Sequence, residues 1–348
     1  MKTLSLTFLI FLLLTFRGFT QELTWNSRFF SFFDNVEFGG SSVKIPQTMA
    51  GVRFSPELGI VWDSVHRFSA GMSMIHEFGS PAFSDYLYPS AWYEYNREPV
   101  KFAMGAFPRA FALEKYPRMF FSDSVSYYRP NINGMFFQWG AERDYLNIWL
   151  DWTGRQSESV RETFMAGVSG RYTAGIFYMS HFSYMLHFAS FKDPIVEEAL
   201  HDNLLLLTSA GADLGGRTIF DRLEGSAGWV LALERARADN TGWIVMHGLQ
   251  VDVCAEYRFA GIMNSFYTGK GTMYFYNDHG NELYPGDPVY RAKVSNRTDL
   301  YVRFFRKQDI KLELTWSVFL LERRLYNEQM LKLWIDIGGR RMIQRHDP

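Results

Sequence analysis

Cysteine is almost missing from this chain: Cys254 stands alone among 348 residues. With nothing to pair with, it excludes internal disulfides and cysteine-based zinc sites. Charge of one sign is missing too. The 36 basic and 37 acidic side chains nearly cancel, leaving a formal net charge of −1. A chain that neutralises many phosphates needs a basic surplus, so nucleic acid is excluded as a partner. After the N-terminal segment no run of 18 apolar residues occurs, which excludes a bundle of membrane-spanning helices. No glycine-rich phosphate loop follows a strand and opens a helix, so a nucleotide enzyme has no support. The eight histidines do not cluster with carboxylates at metal-ligand spacing. Neither a metal nor another cofactor is expected.

What the chain has in excess is aromatic rings. Phe, Tyr and Trp together make 18% of it, enough apolar surface to exclude disorder. Met1-Lys2 followed by the apolar stretch Leu4 to Phe16 is too short to span a bilayer and right for a signal peptide. Gly18 and Thr20 fit the −3 and −1 cleavage positions. Residues 1–20 are therefore read as a signal peptide and 21–348 as a single exported domain.

Period-two alternation runs through most of that domain. In the clearest segment Ile310, Leu312, Leu314, Trp316, Val318 and Leu320 alternate with Lys311, Glu313, Thr315, Ser317 and Phe319. Alternate side chains of a strand point to opposite faces, so one face is apolar and the other mostly polar. Leu146, Ile148, Leu150 and Trp152 repeat the pattern against Tyr145, Asn147, Trp149 and Asp151. About sixteen such strands can be read, with fourteen to eighteen possible. A soluble sandwich would also alternate, so the connections decide. Tight links such as Asp63-Ser64-Val65, Arg97-Glu98 and Glu142-Arg143 alternate with long ones such as Phe78 to Leu87, Arg109 to Ile132 and Gly271 to Asn296. Short turns at one end and long loops at the other mark an all-β transmembrane antiparallel barrel with periplasmic turns and extracellular loops. On one strand Trp243, Val245, His247, Leu249, Val251, Val253, Ala255 and Tyr257 share a face. Its aromatic ends lie about 34 Å apart along the membrane normal for a tilted strand, the spacing of two interfacial girdles.

The signal peptide, strand rhythm and girdles resemble Gram-negative outer-membrane porin-type barrels. Locally, Trp92-Tyr93-Glu94-Tyr95, then Val100 to Met104 and Gly105-Ala106-Phe107-Pro108-Arg109, looks like a recurrent hairpin of such barrels. Ser122 to Asn131, with Asp151-Trp152-Thr153-Gly154-Arg155-Gln156 downstream, is similar to Bacteroidetes barrels without an assigned substrate. The resemblance implies residence in the outer membrane, contact with lipid and lipopolysaccharide, and dependence on the barrel-insertion machinery. Such barrels usually end on an aromatic residue, whereas here Arg340 to Pro348 follow the last strand.

The functional features are then pore features, and no enzymatic activity is expected. The connection Arg109 to Ile132 is the third long one, which folds into the lumen in porin-type barrels. Its Arg109, Glu114, Lys115, Arg118, Asp123 and Arg129 are candidate constriction residues, since charges set among rings focus a field across an aperture. An extracellular lid is the alternative for the same loop. Lys101, Arg171, Arg222, Glu224, Asp252, Glu256, Arg258, Arg303, Lys311 and Glu313 are read as lumenal, holding opposing walls together. In the loop from Gly271 to Asn296, Tyr274, Tyr276, Asp278 and Tyr284 are candidate glycan contacts. Asp278-His279, near Glu282 and Asp287, is read as solvated loop rather than a cation site. His181 and Ser183 share a strand face and could aim a base and a nucleophile at lipid, but the flanking Asn-Gly and a third member are missing. The reading is an outer-membrane channel for passive or weakly selective diffusion of small polar solutes. A barrel for export, assembly or binding of surface polysaccharide is second, and a lipid-modifying enzyme third.

Overall fold

The computed structural model describes residues 21–113, 115–141, 143–192, 200–238, 242–307 and 309–342. Residues 1–20, read from the sequence as a signal peptide, and the constriction candidate Glu114 lie outside the described residues. Sixteen strands join in chain order into one closed antiparallel barrel, within the fourteen-to-eighteen range read from the sequence. They are β1 (Glu22–Glu37), β2 (Gln47–Trp62), β3 (His66–Glu77), β4 (Tyr86–Arg97), β5 (Val100–Pro108), β6 (Asn131–Gly140), β7 (Tyr145–Gly154) and β8 (Thr163–Ala174). The second half comprises β9 (Phe177–Phe188), β10 (His201–Asp213), β11 (Arg222–Ala236), β12 (Ile244–Tyr257), β13 (Ala260–Gly269), β14 (Val294–Lys307), β15 (Ile310–Leu321) and β16 (Arg324–Met342). Closure is made by β1 against β16, with Glu22 opposite Met342 and Glu37 opposite Asn327. A closed wall leaves no unpaired strand edge, which is what allows strands to cross hydrocarbon.

The alternation sorts side chains as period two demands. On β15 Ser317 is fully buried in the lumen while its neighbour Trp316 is 50% exposed on the outer wall. On β12 Val245, His247, Leu249, Val253 and Tyr257 face outward, and Met246, Gln250, Cys254 and Glu256 are buried inside.

The connections also sort, with two departures. Between β10 and β11 the short-turn end carries residues 214–221, longer than Gly215-Gly216-Arg217. At the long-loop end β15 and β16 are joined only by Glu322-Arg323, both with positive φ. A two-residue turn with both residues left-handed matches strand twist and makes a tight hairpin. The last strand accordingly starts at Arg324, not near residue 328.

Leu314 lies near the middle of β15 and faces out. Leu314→Arg should reduce barrel stability in bilayers by about 2–4 kcal/mol in a denaturant titration. An unchanged midpoint would place Leu314 on the lumen side instead.

Candidate functional site in a filled lumen and a charged outer rim

The long connection between β5 and β6 folds into the barrel. Its base is closed by Arg109, whose guanidinium donates to Arg129 O at 2.9 Å, Asn131 O at 2.9 Å and Asp151 Oδ2 at 2.6 Å. Its rings do the rest. Phe120 and Tyr127 are fully buried, and Tyr116 Oη accepts from Trp149 Nε1 of the wall at 2.7 Å. A short helix, Asp123–Tyr128, presents Asp123 to the opposite side of the lumen.

A second connection, between β13 and β14, folds in beside it. The carboxylate of Glu234 on β11 accepts from Met273 N and Tyr274 N, both at 3.0 Å, and from the hydroxyl of Tyr284. Ser122 N donates to Pro285 O at 2.8 Å, and Asp287 N to Arg118 O at 2.9 Å, so the two loops hold each other. Gly286 makes this possible: a Cβ there would stand 2.0 Å from Met119 O.

An ionic hub fixes both loops to β14 and β16. Asp123 takes Arg118 at 2.8 Å, Lys332 at 2.7 Å and Arg297 at 3.4 Å. Arg118 also reaches Asp299 at 2.8 Å, and Arg297 reaches Asp299 at 2.7 Å and Asp287 at 3.3 Å. Lys44, from the first long connection, meets Asp287 at 3.6 Å and Glu328 at 3.4 Å. Burial pushes the Asp123 carboxyl up, but Arg118, Lys332 and Arg297 outweigh it and hold it well below the usual carboxylate range.

The five described constriction candidates all border the inner cavity, and among them Arg118 and Asp123 are paired with each other. Arg109 also closes the loop base, and Lys115 lies over the Tyr145 ring at 4.8 Å. Below the loops is a cavity of about 1710 Å³. It extends to Arg143, Gly215 and Asp221 at the short-turn end. Charges read as lumenal do pair inside the barrel: Arg303 meets Glu313 of the adjacent strand at 2.8 Å, while Arg171 of β8 reaches past two strands to Glu224 of β11 at 3.1 Å. Arg258 stands in the turn after β12. Of the glycan candidates, Tyr274 and Asp278 are exposed and Tyr276 is half-buried beneath Arg291. Tyr284 is 1% exposed and offers no ring face to a sugar. Among the described residues no three His, Cys, Asp or Glu side chains converge as a metal site.

The outer wall carries two polar groups on β9 and β10. In the first, His181 Nε2 lies 3.0 Å from Ser183 Oγ and Nδ1 lies 2.9 Å from Thr208 Oγ1. The third position is a hydroxyl, and Ser183 donates to Val168 O at 3.2 Å. In the second, His187 Nδ1 lies 3.0 Å from Asp202 Oδ1. Asp202 also accepts from Arg235 Nε at 2.7 Å and from Arg237 Nε at 2.9 Å and Nη2 at 3.0 Å. Sequence reading missed this group because its members are far apart in the chain. The detectable signal was register: Asp202 sits opposite both His187 and Arg235. Rings surround it, with Arg235 over Trp243 at 4.3 Å and Phe164 5.1 Å from His187.

Closed wall, apolar outer face and polar lumen define a porin-like outer-membrane barrel. Among solved structures the chain is similar to a loop-deletion mutant of OmpT, an outer membrane protein of Vibrio cholerae, at 9% identity and TM-score 0.53. That likeness covers 91% of this chain and all of the other. A triple mutant of the Rhodopseudomonas blastica porin is similar at 12% identity and TM-score 0.51, over 90% of this chain and all of that one. No curated protein matches in sequence. The family model described as lipid A 3′-O-deacylase-type matches residues 17–329, and the chain belongs to that family. This corrects the expectation of a barrel without enzymatic activity.

Two predictions concern the loops. Gly286→Ala should part them, exposing the β13–β14 connection to limited proteolysis that the parent resists. Asp123 titrates lower in the folded chain than unfolded, so its contribution is present above about pH 4 and disappears only as pH falls through the folded value. The fluorescence of Trp149, bonded to Tyr116 of the loop, should therefore hold steady down to about pH 4 and change only in stronger acid. Asp123→Asn, which carries no charge at any pH, should show the acid-form fluorescence already at neutral pH.

Proposed function

We propose that the protein is an outer-membrane acyl-ester hydrolase that acts from its outer wall on a phosphorylated, acylated glycolipid of the lipid A type. One observation carries the reading: in a chain of a deacylase-type family, a histidine held by a carboxylate and flanked by two guanidiniums stands on the outer wall, where it meets lipid. The lumen supports it by contrast, because two interlocked loops occupy its long-loop half. Lipopolysaccharide is then substrate as well as neighbour, and residues 1–20 serve export.

Small-solute diffusion has one observation in its favour, the charged cavity that reaches the short-turn end. The exposed Tyr274 and Asp278 are all that favours glycan binding. Purified protein incubated with lipid A should release a fatty acid, with the glycolipid losing the mass of one acyl chain by mass spectrometry. In planar bilayers it should show no steady conductance. Unchanged lipid A together with stable open-channel steps would overturn the hydrolase in favour of the channel.

A further inference from the structure

Depth on the wall separates the two polar groups. Outward positions of β9 run from His187 through Met185, Ser183, His181 and Met179 to Phe177. Ten residues of a strand tilted by ~45° rise about 24 Å, the height of the apolar band of such a barrel. Phe177 and Tyr172, 63% and 70% exposed, mark its lower edge. His187 marks the upper edge, level with Asp202 and Arg235 and beside Phe164 and Trp243. Ser183 and His181 lie about 10 and 14 Å below it. Water and an ester linkage meet at the upper edge. At the depth of Ser183 there are acyl chains and little water.

We propose that His187, positioned by Asp202 and flanked by Arg235 and Arg237, is the hydrolytic centre, with water as nucleophile; this rests on the hydrolase reading above. The contact at Nδ1 fixes the ring and the tautomer, since a carboxylate accepts from Nδ1–H and leaves Nε2 as the acceptor. Nε2 makes no hydrogen bond among the described residues. It takes a proton from water while the water oxygen bonds to the ester carbonyl carbon. The carbonyl oxygen becomes negative as this bond forms. Among the described residues Arg235 uses only Nε on Asp202, and Arg237 leaves Nη1 unused, so guanidinium N–H groups remain for that oxygen or for a phosphate. The bond from carbonyl carbon to sugar oxygen then breaks, and the proton passes from His187 to that oxygen. One ester and one water give one fatty acid and one sugar hydroxyl. Asp202 is a positioning residue that stays ionised throughout.

The test uses full-length protein in mixed micelles with lipid A, following fatty-acid release. His187→Ala should lower the rate at least 100-fold, and Ser183→Ala should leave it within about twofold. Asp202→Asn should lose activity that Asp202→Glu partly restores, a rescue not expected if Asp202 only braced the rim. Strand content by circular dichroism should be unchanged in all four, because these side chains lie outside the hydrogen-bonded ladder. A His187→Ala variant with more than half the parent rate would overturn the site while leaving the hydrolase standing. Loss in Ser183→Ala with activity kept in His187→Ala would transfer the site to the mid-wall pair. A silent parent protein would overturn the hydrolase reading and the site with it.

Discussion

The backbone hydrogen-bond ladder is the interaction on which everything else here depends. Hydrocarbon offers no partner to an N–H or C=O, so each strand must be paired on both edges and β1 must return to β16. Closure forces every second side chain outward and every other one inward. A single chain thereby acquires two chemistries: a wall of Leu, Val and Trp, and a lumen of Arg, Asp and Glu. Mean hydropathy of −0.16 is the average of the two and describes neither.

The lumen then poses a packing problem. Sixteen strands enclose more volume than wall side chains fill, and here two connections occupy part of it. Arg118, Asp123, Arg297 and Lys332 have been taken out of bulk water, and each is matched by an opposite charge within 3.4 Å. Removing one member of such a group leaves another buried without its partner, at about 3–5 kcal/mol. The same residues that would focus a field across a pore serve instead as bolts for the loops. Charge in a loop does not distinguish these uses. Geometry does.

Much of the fold was legible because period two is a local signal. Ile310 to Leu320 states its own two faces, and the lengths of Phe78 to Leu87 and Arg109 to Ile132 state which end is which. The site was much less legible. Tyr284 looks like an exposed loop tyrosine until Glu234, fifty residues earlier, accepts its hydroxyl. Glu322-Arg323 contains no Gly, Asn or Asp, so nothing in its composition announces a left-handed two-residue turn. His181 and Ser183 were noticed because they are two apart. His187 and Asp202 were passed over because fifteen residues of chain separate two side chains that the sheet brings to 3.0 Å.

That last difference has a physical cause beyond register. A carboxylate on a lipid-facing wall is tolerated only where compensating cations and water are both near, which confines it to the edge of the apolar band. Asp202 satisfies the condition with two guanidiniums, one of them laid over Trp243. Mid-wall, only neutral groups can be afforded, and His181, Ser183 and Thr208 bond to one another and to the backbone. Charge and depth are thus coupled on this wall. An ester hydrolase needs a base that can take and return a proton, an orienting anion, and water. The membrane permits those three together only at the rim, the level where the acyl esters of a glycolipid meet its sugar.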